Sequence, residues 1–223
     1  MLVVSIDGAC RRNGKPDCVA AGGTFIMRYH DDKLVDTKVL TNYEINSTNQ
    51  RGELLALLTA LDYIWESKET AHIITDSEYL FNTMTKEWCK NWQRKGWTTA
   101  SGDPVKNKDI LLEILNAQRR CEAEGIELLF YHVKGHAMPF GKVTAQNLLE
   151  KDNTGMALYD AVLSKYNTVF INPTILGELD ELSTKNNGFA LTSNHEILTR
   201  FVVTNVVADA IATKCVEAAD ALM

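Results

Sequence analysis

Two aspartates follow short apolar runs and precede a turn or a helix start. Asp7 ends Leu-Val-Val-Ser-Ile, and Asp76 follows the β-branched pair Ile73-Ile74. Adjacent strands would deliver these carboxylates to neighbouring positions, and Glu53, early in a long helix, points at the same spot if that helix crosses the sheet. Three clustered acids stay ionised together only when a cation compensates them, and hard divalent ions prefer oxygen ligands. Magnesium or manganese is the natural occupant. Taken singly, each acid has a plainer use: an Asp beside a turn forms an Asx-turn or N-cap, and a Glu in a first turn serves the helix dipole.

Composition narrows the classes. The chain has 223 residues, 45% hydrophobic and 23% charged, which suits a globular core and excludes collagen, coiled coil and wholesale disorder. No apolar run approaches the roughly 20 residues of a membrane helix, and the first residues lack a signal peptide's basic start, so a soluble cytoplasmic protein without membrane contact is expected. Five scattered cysteines, with no CxxC pair, suggest neither a disulfide framework nor a zinc ribbon. The net charge is −6, but residues 86–108 carry six bases against Glu87 and Asp103, so that segment nets +4 and the remainder −10. Three of the four tryptophans lie there too. A basic-aromatic module embedded in an acidic protein suggests contact with a polyanion.

The elements that must position these residues follow from pattern. Residues 2–6 predict a strand ending at Asp7-Gly8. Val19–Tyr29 and Lys33–Leu40 predict two more, joined by a turn at 30–32, with strands 1 to 3 antiparallel. Leu54, Leu57, Leu58, Leu61, Ile64 and Trp65 recur at helical spacing in a helix starting near Thr48. A strand at 73–74, a helix opening at Ser77 and a strand near 130 complete an α/β pattern with a mixed sheet. Trp88 and Trp92 stand i, i+4, and Lys86, Lys90 and Arg94 form a second such stripe beside them on one predicted helix. One stripe can stack on bases and the other meet phosphates; alternatively the tryptophans pack on the core and the lysines are a solvated face.

The text around these residues resembles ribonuclease H of type 1. The matching segments are Ser-Ile-Asp-Gly-Ala-Cys (5–10), Thr-Asn-Gln-Arg-Gly-Glu-Leu (48–54), Ile-Thr-Asp-Ser (74–77), the Asn-Trp-x-x-Lys-Gly-Trp-x-Thr stretch (91–99) and Val-Lys-Gly-His-Ala (133–137). They fall in the family's order. The family's last acid lies in Asn-x-x-Ala-Asp-x-x-Ala, which looks like 205–212 here.

The resemblance implies a ribonuclease H-like fold, a mixed five-stranded sheet flanked by helices, and an endoribonuclease that cuts the RNA strand of RNA-DNA hybrids. It implies Asp7, Glu53, Asp76 and Asp209 as ligands of two magnesium ions, with manganese as a substitute, and His136 as a mobile proton carrier beside them. It leaves 5′-phosphate and 3′-hydroxyl ends. Hybrid contacts carried over are the backbone of Gly8, Ala9 and Cys10, the side chains of Asn13, Thr48, Asn49, Gln50 and Ser77, and the handle of Trp88, Lys90, Trp92, Arg94 and Lys95. For Asn13 and the Asn49-Gln50 pair, turn and cap formation is the alternative.

The departure lies between His136 and Asp209, 73 residues apart where the family has a short loop. A partly helical insertion over residues 141–200, within one domain of residues 1–223, is expected, and it makes Asp152 and Asp160 rivals for the fourth carboxylate. Its apolar positions, among them Leu149, Leu158, Val162, Phe170, Ile175 and Leu176, suit helices packed on the core or a protein contact. The chain reads as a free-standing nuclease. A nuclease of the same fold acting on structured DNA, or a silent hybrid-binding protein whose site the insertion covers, are the competing readings.

Overall fold

Along the first strand, β1 (Leu2–Arg11), Leu2, Val4 and Ile6 face one hydrophobic layer, while Val3 faces the other on the side shared by Ser5 and Asp7. This alternation is what a strand covered on both faces requires. In the computed structural model, which describes residues 1–31, 33–86, 88–133, 135, 141–169 and 195–222, β2 (Val19–His30) and β3 (Lys33–Ile45) continue an antiparallel meander. β4 (Ala71–Thr75) adds to β1 in parallel and β5 (Leu128–His132) to β4, giving the order β3-β2-β1-β4-β5. The mixed five-stranded sheet is as the sequence implied.

Two strand ends differ from the expectation. β3 runs past Leu40 to Ile45. β1 does not stop at Asp7-Gly8 but runs on to Arg11, with Gly8 paired to Gly22 and Cys10 to Ala20. The glycine serves close packing instead of a turn: a Cβ there would overlap the backbone nitrogen of Glu53 and stand 2.7 Å from its Cγ. Gly8→Ala is therefore expected to destabilise by roughly 1–3 kcal/mol through overpacking, measured by urea denaturation. An unchanged midpoint would show that the helix can retreat freely.

That helix is α1 (Asn49–Ser67), opened by Thr48, whose hydroxyl accepts from the Arg51 amide at 3.4 Å. It lays Leu54, Leu57, Leu61 and Ile64 on Leu2, Val4, Ile6 and Ile73, and α4 (Lys108–Ala123) covers it with Ile110, Leu111 and Ile114. α2 (Glu78–Thr85) and α3 (Trp88–Arg94) lie between them in sequence.

The opposite face is covered by α5 (Lys142–Lys151), α6 (Met156–Val169) and α7 (His195–Asp220). Ala145, Leu149, Leu158, Val162, Val203, Val207 and Ile211 pack on Val3, Phe25, Met27 and Ile74. The described part of the insertion is thus a layer of the core; Phe170, Ile175 and Leu176 lie outside the described residues. Leu158 is fully buried, and Leu158→Ala should cost about 2–4 kcal/mol in urea denaturation. A loss below about 1 kcal/mol would mean the layer is peripheral.

Candidate active site

Sheet register brings the first two acids together. β1 pairs with β4 through Ser5 and Ile74, so Asp7 lies level with Asp76, which directly follows β4. Gly8 lets α1 approach closely enough for Glu53 to reach the same end of the sheet. The fourth acid comes from the other layer. Asp7 pairs across the sheet with Gly23, and a Cβ on Gly23 would stand 2.6 Å from the Ala208 carbonyl, so α7 runs against the backbone next to Asp209.

The electrostatics follow from this crowding. Burial is the largest cause holding the Asp7 carboxyl well above its ordinary range; the charges of Asp76 and Asp209 add to it and Glu53 contributes least. The Gly8 amide, donating to Asp7 Oδ1 at 2.7 Å, opposes the rise. Burial likewise pushes Glu53 up to about 7, with Asp76 adding and the Ser77 hydroxyl opposing. Of the insertion's rivals, Asp152 accepts from the amides of Thr154 at 3.0 Å and Ala157 at 2.8 Å as a cap to α6, and Asp160 is exposed. Asp209 is the acid whose charge reaches Asp7.

The donor set fits a hard divalent cation: buried carboxylates that raise one another's protonation are what such an ion relieves. Among the described residues no three His, Cys, Asp or Glu side chains converge at metal-holding spacing. Glu53 shows why. Its Oε2 accepts from the Ser77 hydroxyl and its Oε1 from Asn49 Nδ2 at 3.2 Å, so an ion would have to compete for both oxygens.

Other site residues are placed as follows. Ser77 also caps α2, accepting from the Leu80 amide at 3.2 Å, so its hydroxyl is already shared between Glu53 and the helix. Gln50 is exposed, and Asn13 lies in the exposed turn between β1 and β2 with its Oδ1 3.8 Å from the Cys10 thiol. Gly135 sits directly against the Asp76 carboxylate. His136 lies outside the described residues.

In the basic segment, Trp88 and Trp92 are half-buried with ring centroids 6.0 Å apart, and Trp92 packs on the core. Lys90, Arg94 and Lys95 are exposed. The single stripe expected from Lys86 to Arg94 is broken: Lys86 ends α2, its amide donating to the Asn82 carbonyl, and α3 begins only at Trp88.

Two features escaped the sequence reading. Arg51 reaches three ways, its Nε and Nη2 to Glu44 at 2.6 and 2.9 Å and its Nη1 to Asp109 at 2.8 Å, which ties the start of α1 to β3 and α4. His132 lies with Nε2 3.1 Å from the Asp76 carbonyl. Asp109 and Asp76 are distant in sequence from these residues, and Glu44, seven residues before Arg51, is brought to it only by the connection from β3 to α1.

A mixed sheet in this order, with acids from β1, α1, the end of β4 and a C-terminal helix, defines the ribonuclease H-like fold. A family model for RNase H matches residues 1–151. A ribonuclease H of Jannaschia sp. (strain CCS1) is 36% identical over 148 residues, which is 66% of this chain and 87% of that protein. One from Moorella thermoacetica is 34% identical over 136 residues, 61% of this chain and 80% of that protein. Among solved structures, LC9-RNase H1, a type 1 RNase H with the type 2 active-site motif, superposes with a TM-score of 0.51 at 24% identity, spanning 61% of this chain and 64% of that one. The PFV RNase H domain gives 0.50 at 20% identity, over 71% and 94%. The chain belongs to the RNase H family, type 1, and is a ribonuclease H by enzyme class. Among the described residues no helix is long and apolar enough to cross a membrane.

Proposed function

We propose that this protein is a cytoplasmic endoribonuclease that hydrolyses the RNA strand of RNA-DNA hybrids, leaving 5′-phosphate and 3′-hydroxyl ends. The observation that carries this reading is that Asp7, at one end of the sheet, feels the charges of Asp76, Asp209 and Glu53, brought there from separate segments. These four are the metal ligands. Two magnesium ions, or manganese in their place, would supply a nucleophilic water and stabilise the leaving oxygen of an in-line displacement on phosphorus.

The chain's own residues do the rest. Asp7 and Glu53, whose carboxyls burial and neighbouring acids hold above their ordinary range, are the acids whose ionised form a bound cation would favour most. Asn49 and Ser77 orient Glu53. His136 moves a proton to or from water or product. The backbone from Gly8 to Cys10 and the side chains of Asn13, Asn49 and Gln50 meet the shallow groove where 2′-hydroxyls mark the RNA strand. Thr48 and Ser77, the N-caps of α1 and α2, add further contacts to the hybrid. Trp88, Lys90, Trp92, Arg94 and Lys95 hold the hybrid's backbone. Residues 1–223 act as one domain, with 141–200 as an insertion whose described helices α5 and α6 pack on the core.

The deciding experiment uses a hybrid with separate labels on its two strands, incubated with magnesium, manganese or chelator. Metal-dependent loss of the RNA label alone is expected; cleavage of the DNA strand would overturn the substrate assignment. Neutralising Lys90, Arg94 and Lys95 together should weaken hybrid binding and flatten its log-log salt dependence, by roughly one in slope for each phosphate that the variant no longer neutralises. An unchanged slope would reject the handle.

A further inference from the structure

Arg11 ends β1, the turn to β2 carries Arg12, Asn13 and Lys15, and the far end of the C-terminal helix reaches both. Asp220, the last residue of α7, gives one oxygen to each arginine: Oδ1 to Arg12 Nη2 at 2.5 Å and Oδ2 to Arg11 Nη1 at 3.1 Å. Its side chain is only 12% exposed. The position is locally unfavourable, because the carbonyl end of a helix repels negative charge. Two guanidiniums on one carboxylate are the compensation that keeps an acid there.

Arg12 also holds the turn closed. Its Nε and Nη2 donate across the loop to the Asp17 carbonyl at 3.2 and 2.7 Å, and its own carbonyl accepts from the Lys15 amide at 2.9 Å. Arg12 and Asp17 both take left-handed backbone, at φ of 60° and 62°, a conformation that side chains hold only when their surroundings fix it. The Asp17 amide donates to Asn46 Oδ1 at 3.1 Å, beside the Thr48-Asn49-Gln50 segment. Beneath the clamp, Val216 and Ala219 of α7 pack on Val19 and Ala21, with Ala9 alongside. Asn13 follows Arg12 directly, so the guanidinium that Asp220 fixes also fixes where Asn13 is presented.

We infer that Asp220 is a positioning residue for substrate binding: through Arg12 it sets the β1–β2 turn that offers Asn13 to the RNA strand. It touches no substrate, and it rests on the hybrid-cleavage reading given above. Its effect falls on capture of the hybrid and not on the acid cluster.

Asp220→Asn in the full chain should raise KM for the hybrid by between about three- and tenfold while kcat stays within about twofold. Asp220→Glu, which keeps the charge, should restore KM to within about twofold of the parent. Hydrogen exchange at the Lys15 and Asp17 amides, which are hydrogen-bonded in the turn, should quicken in Asp220→Asn alone, which a general loss of stability would not confine to the turn. If Asp220→Asn folds poorly, Arg12→Lys keeps the charge, loses the fork and should raise KM alike. An unchanged KM, a fall in kcat in its place, or unchanged exchange in the turn overturns the inference. A parent protein that leaves the hybrid uncut overturns the cleavage reading itself; a parent that cuts normally beside an unaffected variant overturns only the clamp.

Discussion

Asp7→Asn should lower hybrid cleavage by roughly a thousandfold or more while leaving hybrid binding in chelator nearly unchanged. Asp7 is 8% exposed and feels the charges of all three other acids, so no neighbour can take over its place. The substitution is close to isosteric and leaves the pairing with Gly23 intact, which is why a loss of activity would report on charge and ligation and not on the fold. Cleavage kinetics and fluorescence anisotropy on the same preparation separate the two. Full activity in the variant would falsify the proposed ligand set.

The same crowding predicts an unusual pH dependence for the metal-free protein. The folded pKa of Glu53 lies at about 7 against an ordinary 4.5, and Asp7 is raised as well. A carboxyl whose folded pKa is raised binds its proton more tightly when folded. Its stabilising contribution is therefore complete below about pH 4.5 and is lost as the pH climbs through 7. For Glu53 the loss is on the order of 2–3 kcal/mol. Groups such as Glu44 and Asp109, lowered by hydrogen bonds from Arg51, act in the opposite sense, and their contribution disappears only as the pH falls into the acid range. Urea denaturation in chelator at pH 5 and pH 8 should show the parent weakening over that window and Glu53→Gln weakening much less. Added magnesium should stabilise the parent more at pH 8 than at pH 5. Equal pH profiles for parent and Glu53→Gln would show that the acids do not strain the empty site.

Much of this site is legible in the residues alone, because local text fixes local structure. Ile73-Ile74 before Asp76-Ser77 is a strand entering a capped helix, and Thr48 before Asn49 is the cap of α1. Asp209 is different: the RNase H family match ends at residue 151, so this acid rests on the text of residues 205–212, and its approach to Asp7 becomes visible only with α7 against Gly23. What stays hidden depends on packing between distant elements. Gly8 reads as a turn residue because an Asp-Gly pair carries that signal, and nothing nearby in sequence says that α1 will press on it. Asp220 reads as a surface acid, since the two arginines on its oxygens stand at the other end of the chain. Lys86 reads as part of the following helix because charge periodicity continues past the end of α2, where the backbone of Lys86 leaves helical geometry.

The division of the sheet's two coverings along the chain orders the protein's synthesis. Everything up to β5 emerges first: five strands, three of the four acids, and the α1–α4 layer. During that interval Val3, Phe25, Met27 and Ile74 have nothing to cover them, and such apolar surface is where nascent chains associate. The helix that closes this face is also the one that carries Asp209. A newly made chain therefore cannot acquire its full set of acids before its core is shut, and nuclease competence arrives in the same event that ends its exposure to aggregation.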